Sequence, residues 1–264
     1  MQQAVDISWW QILLFASTLS IPFAINARYK LALGRDAVVG LIRMTLQLAL
    51  VGLYLEYLFY LNSLVVNLLW LMVMILVGAN AIVGKAKLPK RPLMGYVGLG
   101  LAIGLFPVIA LLCLAIIQPN PFYSAQYVIP LSGMLLGNSL SGNIVALQNF
   151  FGSLESRWSE YEASISLGAP IPFATLPFVR VALQKSLAPI LATMATTGLV
   201  SLPGMMTGQI LGGTNPIIAI KYQLIIMIAI FVMMTISITL TLNLVVHRCF
   251  NHAGRPEIHF IDSQ

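Results

Sequence analysis

Leu64 to Val83 reads LVVNLLWLMVMILVGANAIV, twenty residues without one charge. At about 1.5 Å of rise per residue, a helix of that length crosses a hydrocarbon core of about 30 Å. A helix of this kind has no place in a water-soluble domain, because it is apolar on every face. Six further segments of the same character flank it: Trp9 to Ile25, Ala37 to Phe59, Met94 to Ile117, Ala125 to Leu147, Phe178 to Val200 and Ile217 to Val246. Of the 264 residues 59% are hydrophobic and only 8% are charged, against about 25% charged in a soluble domain. The expected fold is all-α: a polytopic integral membrane protein of about seven transmembrane helices, forming one domain over residues 1–264.

The few charges are distributed by rule. Arg28, Lys30 and Arg35 follow the first segment, Lys85, Lys87, Lys90 and Arg91 follow the third, and Arg157, Arg180 and Lys185 surround the start of the sixth. Arg248 and Arg255 follow the seventh. The remaining two, Arg43 and Lys221, lie inside the ends of segments, and the alternate loops carry no basic residue. Positively charged loops stay in the cytoplasm, so the pattern predicts an N-terminus outside, a C-terminus inside and seven crossings. The net charge of +6 therefore reads as topogenic charge drawn to anionic lipid, not as a nucleic-acid surface. Met1 to Trp10 holds Asp6 and no basic residue, so the first span reads as a retained helix and not a cleaved leader.

Catalytic chemistry finds little support. No GxxxxGK[ST] loop and no GxGxxG turn occurs, so no phosphate cradle is present and no cofactor is expected in this chain. Cys113 and Cys249 fall toward opposite membrane faces and read as inert thiols. The histidines His247, His252 and His259 cluster in the tail without ligand spacing.

The one long stretch expected in the cytoplasm is Gln148 to Pro177. Phe150, Leu154, Trp158, Tyr161 and Ile165 recur every three or four residues, predicting one amphipathic helix over about 149–168. Glu155, Glu160 and Glu162 against the single Arg157 disfavour an anionic membrane surface and favour docking on a soluble partner. Leu154, Trp158, Tyr161 and Glu162 are the contact candidates. Gly168, followed by Pro170, is expected to end the helix in a left-handed turn. Glu162-Ala163-Ser164, followed by Gly168, resembles the EAA loop with which ATP-binding-cassette (ABC) importer permeases dock on their ATPase.

Polar groups at membrane depth mark function. Arg43 and Gln47 share a helix face at i, i+4, with Gln47 roughly 15 Å from the inner boundary, and Glu56 lies near the outer end of the same span. Gly133, Gly137 and Ser141 recur every four residues, a stripe that admits a close helix, with Met134 and Asn138 on the next face. In SLPGMMTGQILGG, Ser201 to Gly213, Gly204, Gly208 and Gly212 repeat the spacing beside Met205 and Gln209. Pro203-Gly204 should break the helix, and the apolar text beyond it predicts a short half-helix or re-entrant turn over about 201–213.

Together these texts resemble the FetB-type family of ABC-transporter permeases, which includes the membrane subunit of a plant aluminium-tolerance transporter. The matching pieces are Arg43-xxx-Gln47-Leu48, PLSGMLLGNSLSG, LESRWSEYEASISLGA, GLVSLPGMMTGQILGG and Ala219 to Gln223, and they cover essentially the whole chain. The resemblance implies a permease in the bacterial inner membrane, working as a homodimer with a separately encoded ATP-binding subunit that carries ATP and Mg. In the bacterial case it implies iron export. For metal ligands the spans offer one carboxylate, Glu56, and no histidine, whereas the thioethers of Met134, Met205 and Met206 favour soft ions; the metal is left open. The other reading is an ATP-independent carrier or channel for a small solute, for which seven unequal spans show no inverted halves.

Overall fold

The computed structural model describes residues 7–251 and 254–255. His252 and His259, two of the three tail histidines, and Asp6 lie outside them. The described chain is helical throughout, with no strand beyond a lone bridge between Thr197 and Ser201. Helices α1 (Trp9–Ala16) and α2 (Ser20–Tyr29) join through a tighter turn at Ser17–Leu19 and act as one rod. They are followed by α3 (Gly34–Leu61), α4 (Leu64–Lys85), α5 (Lys90–Leu111, running on into a wider turn, Leu112–Ile116) and α6 (Ala125–Ser156). The short α7 (Trp158–Ser166) precedes α8 (Ile171–Thr196), α9 (Gly204–Leu211) and α10 (Pro216–Arg248).

Among the described residues, six stretches are long and apolar enough to cross a membrane: the α1–α2 rod, α3, α4, α5 with its extension, α6 and α10. The stretch read from sequence as the sixth of seven spans is not among them. It forms α8, which starts at Ile171 instead of Phe178, because Pro172 in its first turn is preset for helix entry. Arg180, Gln184 and Lys185 dilute its apolar content.

The core lies where α10 packs against α5 and α6, with α4 and α8 closing the sides. Three glycines set that spacing. A Cβ on Gly100 would stand 2.9 Å from the Ser237 carbonyl oxygen, and one on Gly104 3.1 Å from that of Met233. One on Gly142 would meet Met234 Sδ at 2.7 Å. Backbones that close exclude lipid and let short polar groups meet: Asn143 Nδ2 donates to Ser237 Oγ at 3.0 Å and to the Ser139 carbonyl at 2.9 Å. All three of these residues are fully buried.

The small-residue stripes picked from sequence lie elsewhere. Gly137, Gly204 and Gly208 have nothing within 4 Å of the place a Cβ would take, Gly133 meets only Met74 Cε at 3.6 Å, and Gly212 meets its own helix, the Gly208 carbonyl, at 3.2 Å. Within one chain, the close approach is made by Gly100, Gly104 and Gly142.

The α1–α3 part stands at the side of this bundle. At its end, Leu58 packs with Ala125 and Ile129 beside Tyr54 and Trp70, and Asn62 Oδ1 accepts from the Ala125 amide at 3.0 Å. The ends of α4 and α6 meet again at the opposite pole, where Gln148 Nε2 donates to the Lys85 carbonyl at 3.2 Å. That pole, which also gathers α7 and Arg248, is the basic end; the pole with Asn62 and Ala125 is the far end.

Gly100→Ala should be destabilising despite the better helix propensity of alanine, because the methyl meets a backbone carbonyl that cannot rotate away; overpacking of this kind costs about 1–3 kcal/mol. Gly137→Ala, with open space around it, should be neutral or slightly stabilising. Thermal unfolding of the two variants in detergent checks the contrast, and equal melting points would refute the glycine seam.

Candidate functional site

At the far end α8 stops at Thr196, seven residues before the Pro203-Gly204 break read from sequence. Thr197 turns extended, Gly198 takes φ 90°, and the chain re-enters as α9, with Pro203 just ahead of its first turn. Gly213 at φ 91° closes α9, and Asn215 Oδ1 then accepts from the Ile217 amide at 2.9 Å to start α10. The apolar text over 201–213 thus forms an eight-residue half-helix wedged against α10.

Between α6, α9 and α10 lies a cavity of about 260 Å³. Met134 from α6 and Met205 and Gln209 from α9 line it, with Tyr127, Thr214 and Tyr222. It has no charged side chain in its wall. Gln209 Oε1 is buried and has no hydrogen-bond partner among the described residues, so the chain itself leaves this acceptor unsatisfied. The chemistry offered is two thioethers, neutral oxygens and aromatic rims. Such a wall suits a partly dehydrated cation or a neutral, donor-bearing solute, and it offers an anion no counter-charge.

Three of the sequence candidates therefore come together here, and the others do not. Asn138 sits one turn inward of Met134, exposed, its Nδ2 donating to the Met134 carbonyl at 2.8 Å. Met206 is half-buried beside the cavity without lining it. Arg43, Gln47 and Glu56 are carried by α3, which touches the bundle only near the far end. Among the described residues no group of three His, Cys, Asp or Glu side chains forms, and Cys113 and Cys249 are separately buried and form no disulfide. The tyrosines and Thr214 were missed from sequence, since aromatic residues near a span end read equally well as interfacial anchors.

At the basic end the single amphipathic helix expected over 149–168 is two pieces. Arg157, at φ −119° and ψ 35°, breaks it, so Phe150 and Leu154 belong to the end of α6. The apolar face is also not offered outward: Phe150, Leu154 and Tyr161 are each at most 1% exposed. Tyr161 packs edge-on to Phe178 of α8 and beside Phe250 of the tail, and its hydroxyl donates to the Gly254 carbonyl at 2.6 Å. Burial pushes its phenol pKa up. The outward surface is instead Glu155, Glu160, Glu162 and Leu167, with Trp158 half-exposed. Gly168 adopts φ 88° and ends α7. Arg157 forks onto Glu160, with Nε to Oε1 at 2.9 Å, and lies over the Phe178 ring at 5.2 Å. The hydrogen bond from Arg157 holds the Glu160 carboxyl below the usual range and raises the guanidinium in return.

The comparisons with known proteins agree on one group. The model of an uncharacterised protein family, UPF0014, matches residues 9–250. The UPF0014 membrane protein slr1647 of Synechocystis is 34% identical over 78% of this chain and 79% of its own. Protein ALUMINUM SENSITIVE 3 of Arabidopsis thaliana is 33% identical over 75% of this chain and 71% of its own. The protein named "Probable iron export permease protein FetB" of Escherichia coli is 31% identical over 83% and 82%. No solved structure matches. With nearly every described residue inside the match, and the half-helix, its cavity and the α6–α7 arm all within it, the chain is a member of the UPF0014 family of membrane proteins.

Proposed function

We propose that this chain is the membrane-spanning permease of an ABC exporter, acting as a homodimer in the bacterial inner membrane with an ATP-binding subunit on a separate chain. ATP and Mg belong to that subunit, and no catalysis takes place here. In this reading α8 is a seventh crossing, the basic end is cytoplasmic and the far end faces outward, as the basic loops require. The cargo is a metal species, by likeness to the relative from Escherichia coli whose name says iron export.

One observation carries the reading. A single unbroken helix, α6, lines the far-end cavity with Met134 and reaches α7 past Leu154. The twenty residues between them span about 30 Å, the hydrocarbon thickness. A push on α7 at the cytoplasmic face is therefore delivered to the cavity wall by one rigid rod. The half-helix α9, joined to its neighbours through glycines at positive φ, is the wall that can yield. Alternating access then needs only a tilt of α6 against α9 and α10, with the cargo held at Met134, Met205 and Gln209.

Cysteine placed at Met205 or Gln209 should change its reactivity toward a membrane-impermeant maleimide when ATP is added to the reconstituted permease–ATPase complex. A rate that never responds to nucleotide would remove the gating role. Gln209→Leu should lower ATP-dependent export by about tenfold, the effect of deleting one buried hydrogen-bonding or charge-binding partner. Transport at full rate by the permease alone in liposomes, without ATP or an ATPase, would overturn the exporter assignment in favour of a carrier.

A further inference from the structure

Of the residues that follow α10, Asn251, Gly254 and Arg255 lie against α7. Asn251 and Arg255 close a tight turn: the Asn251 amide donates to the Arg255 carbonyl at 2.9 Å, the Arg255 amide to Asn251 Oδ1 at 2.8 Å, and the Gly254 amide to the Asn251 carbonyl at 2.9 Å. Gly254 sits at φ 73°, and a Cβ there would stand 3.3 Å from Ile165 Cγ2. Only glycine both takes that backbone conformation and lets the turn press on α7. The Tyr161 hydroxyl, bonded to the Gly254 carbonyl at 2.6 Å, pins the contact from the other side.

Between the turn and α7 remains a cleft of about 410 Å³. Trp158 and Glu162 form one wall, Asn251 and Arg255 the other. Glu162 and Arg255 are both exposed, line the same cleft and are not paired with each other; the ion pair among the described residues is Arg157–Glu160. Leu167, 89% exposed, stands one turn beyond.

We propose that this cleft is a docking site for the ATP-binding subunit, shared between α7 and the C-terminal turn, and that the C-terminal turn is therefore part of the coupling surface. The inference rests on the exporter reading for the identity of the partner. The partner's chemistry follows from the walls: an apolar side chain against Trp158, a basic group facing Glu162 and an acidic group facing Arg255. Lipid headgroups fit poorly. An anionic leaflet can satisfy Arg255 but repels Glu162 and its neighbour Glu155, Glu160 being paired with Arg157. A protein surface supplies both signs, and complementary charge at an interface fixes register.

The test uses the full-length permease in detergent and the purified ATP-binding subunit that the exporter reading assigns to it. Arg255→Glu and Glu162→Lys should each weaken the complex by about tenfold or more, as expected for reversing a charge that meets a partner charge. Gly254→Val, which drives the turn away from Ile165, should weaken it too, with the thermal unfolding of the bundle unchanged. Loss of binding in Glu162→Lys with wild-type binding in both Arg255→Glu and Gly254→Val would overturn the proposal, leaving α7 as the docking element by itself. Wild-type binding in all three, together with loss of adsorption of Arg255→Glu to phosphatidylserine vesicles, would make the cleft a headgroup site and overturn it as well. If the unaltered permease fails to bind the subunit at all, the exporter reading falls with the proposal; the other negative outcomes leave that reading standing.

Discussion

The close approach of α10 to α5 and α6 is the constraint from which the rest of the structure follows. Apolar helices in lipid gain nothing from hiding hydrocarbon, so they must be held by packing contact and by polar groups that meet across the seam. Gly100, Gly104 and Gly142 supply the first and Asn143 with Ser237 the second. Because the seam passes through the middle of α6, it divides that helix into two working arms. One reaches the far-end cavity at Met134, and the other reaches α7 beyond Leu154. Buried contacts run along α6 from Ala125 to Leu154, so the helix joins the two poles as one packed, stiff element.

What can move is written in the breaks. The stretch from Thr197 to Thr214 gives up regular helix twice, at Gly198 and at Gly213, both at positive φ. Its helix α9 rests on α10 and lines the cavity with Met205 and Gln209, while Leu211 stays exposed. By contrast α7 is locked. Tyr161 is surrounded by Trp158, Phe178 and Phe250, and its one polar atom is satisfied by Gly254. In the exporter reading, α7 packed in this way would pass on a force instead of absorbing it.

The helical character and most segment boundaries were legible in the sequence because membrane spans announce themselves through composition, and composition is local. Ala125 begins α6 as read, and Leu64 begins α4. The apolar text at 201–213, too short to span and too greasy for a loop, reads as a half-helix or a re-entrant turn, and α9 (Gly204–Leu211) lies within it. What sequence concealed was partnership. The four-residue glycine stripes at Gly133–Gly137 and Gly204–Gly208 look like packing seams, yet within the chain they face largely open space. The seam that exists uses Gly100 and Gly104, whose text GLGLAIG shows the same spacing. Spacing says that a helix can be approached closely, not which face is. The amphipathic pattern from Phe150 to Ile165 misled in the same way: its apolar face is real, but the chain's own α8 and tail cover it.

The neutrality of the cavity bears on how any cargo would leave. A site with carboxylates or imidazoles holds a bare transition-metal ion tightly, and release then demands a protonation or a competing ligand. A wall of thioether sulfur, amide oxygen and phenol binds weakly, and a site that must both fill and empty in each cycle has to be weak enough to let go. Anions are barred by the absence of any cationic side chain in the wall, and a fully stripped trivalent ion by the desolvation penalty that no formal negative charge is there to offset. The buried acceptor without a partner, Gln209 Oε1, sits on α9, a short helix between Gly198 and Gly213, both at positive φ. In the exporter reading, a neutral and weakly binding cavity of this kind is suited to passing a metal species through, not to holding it permanently.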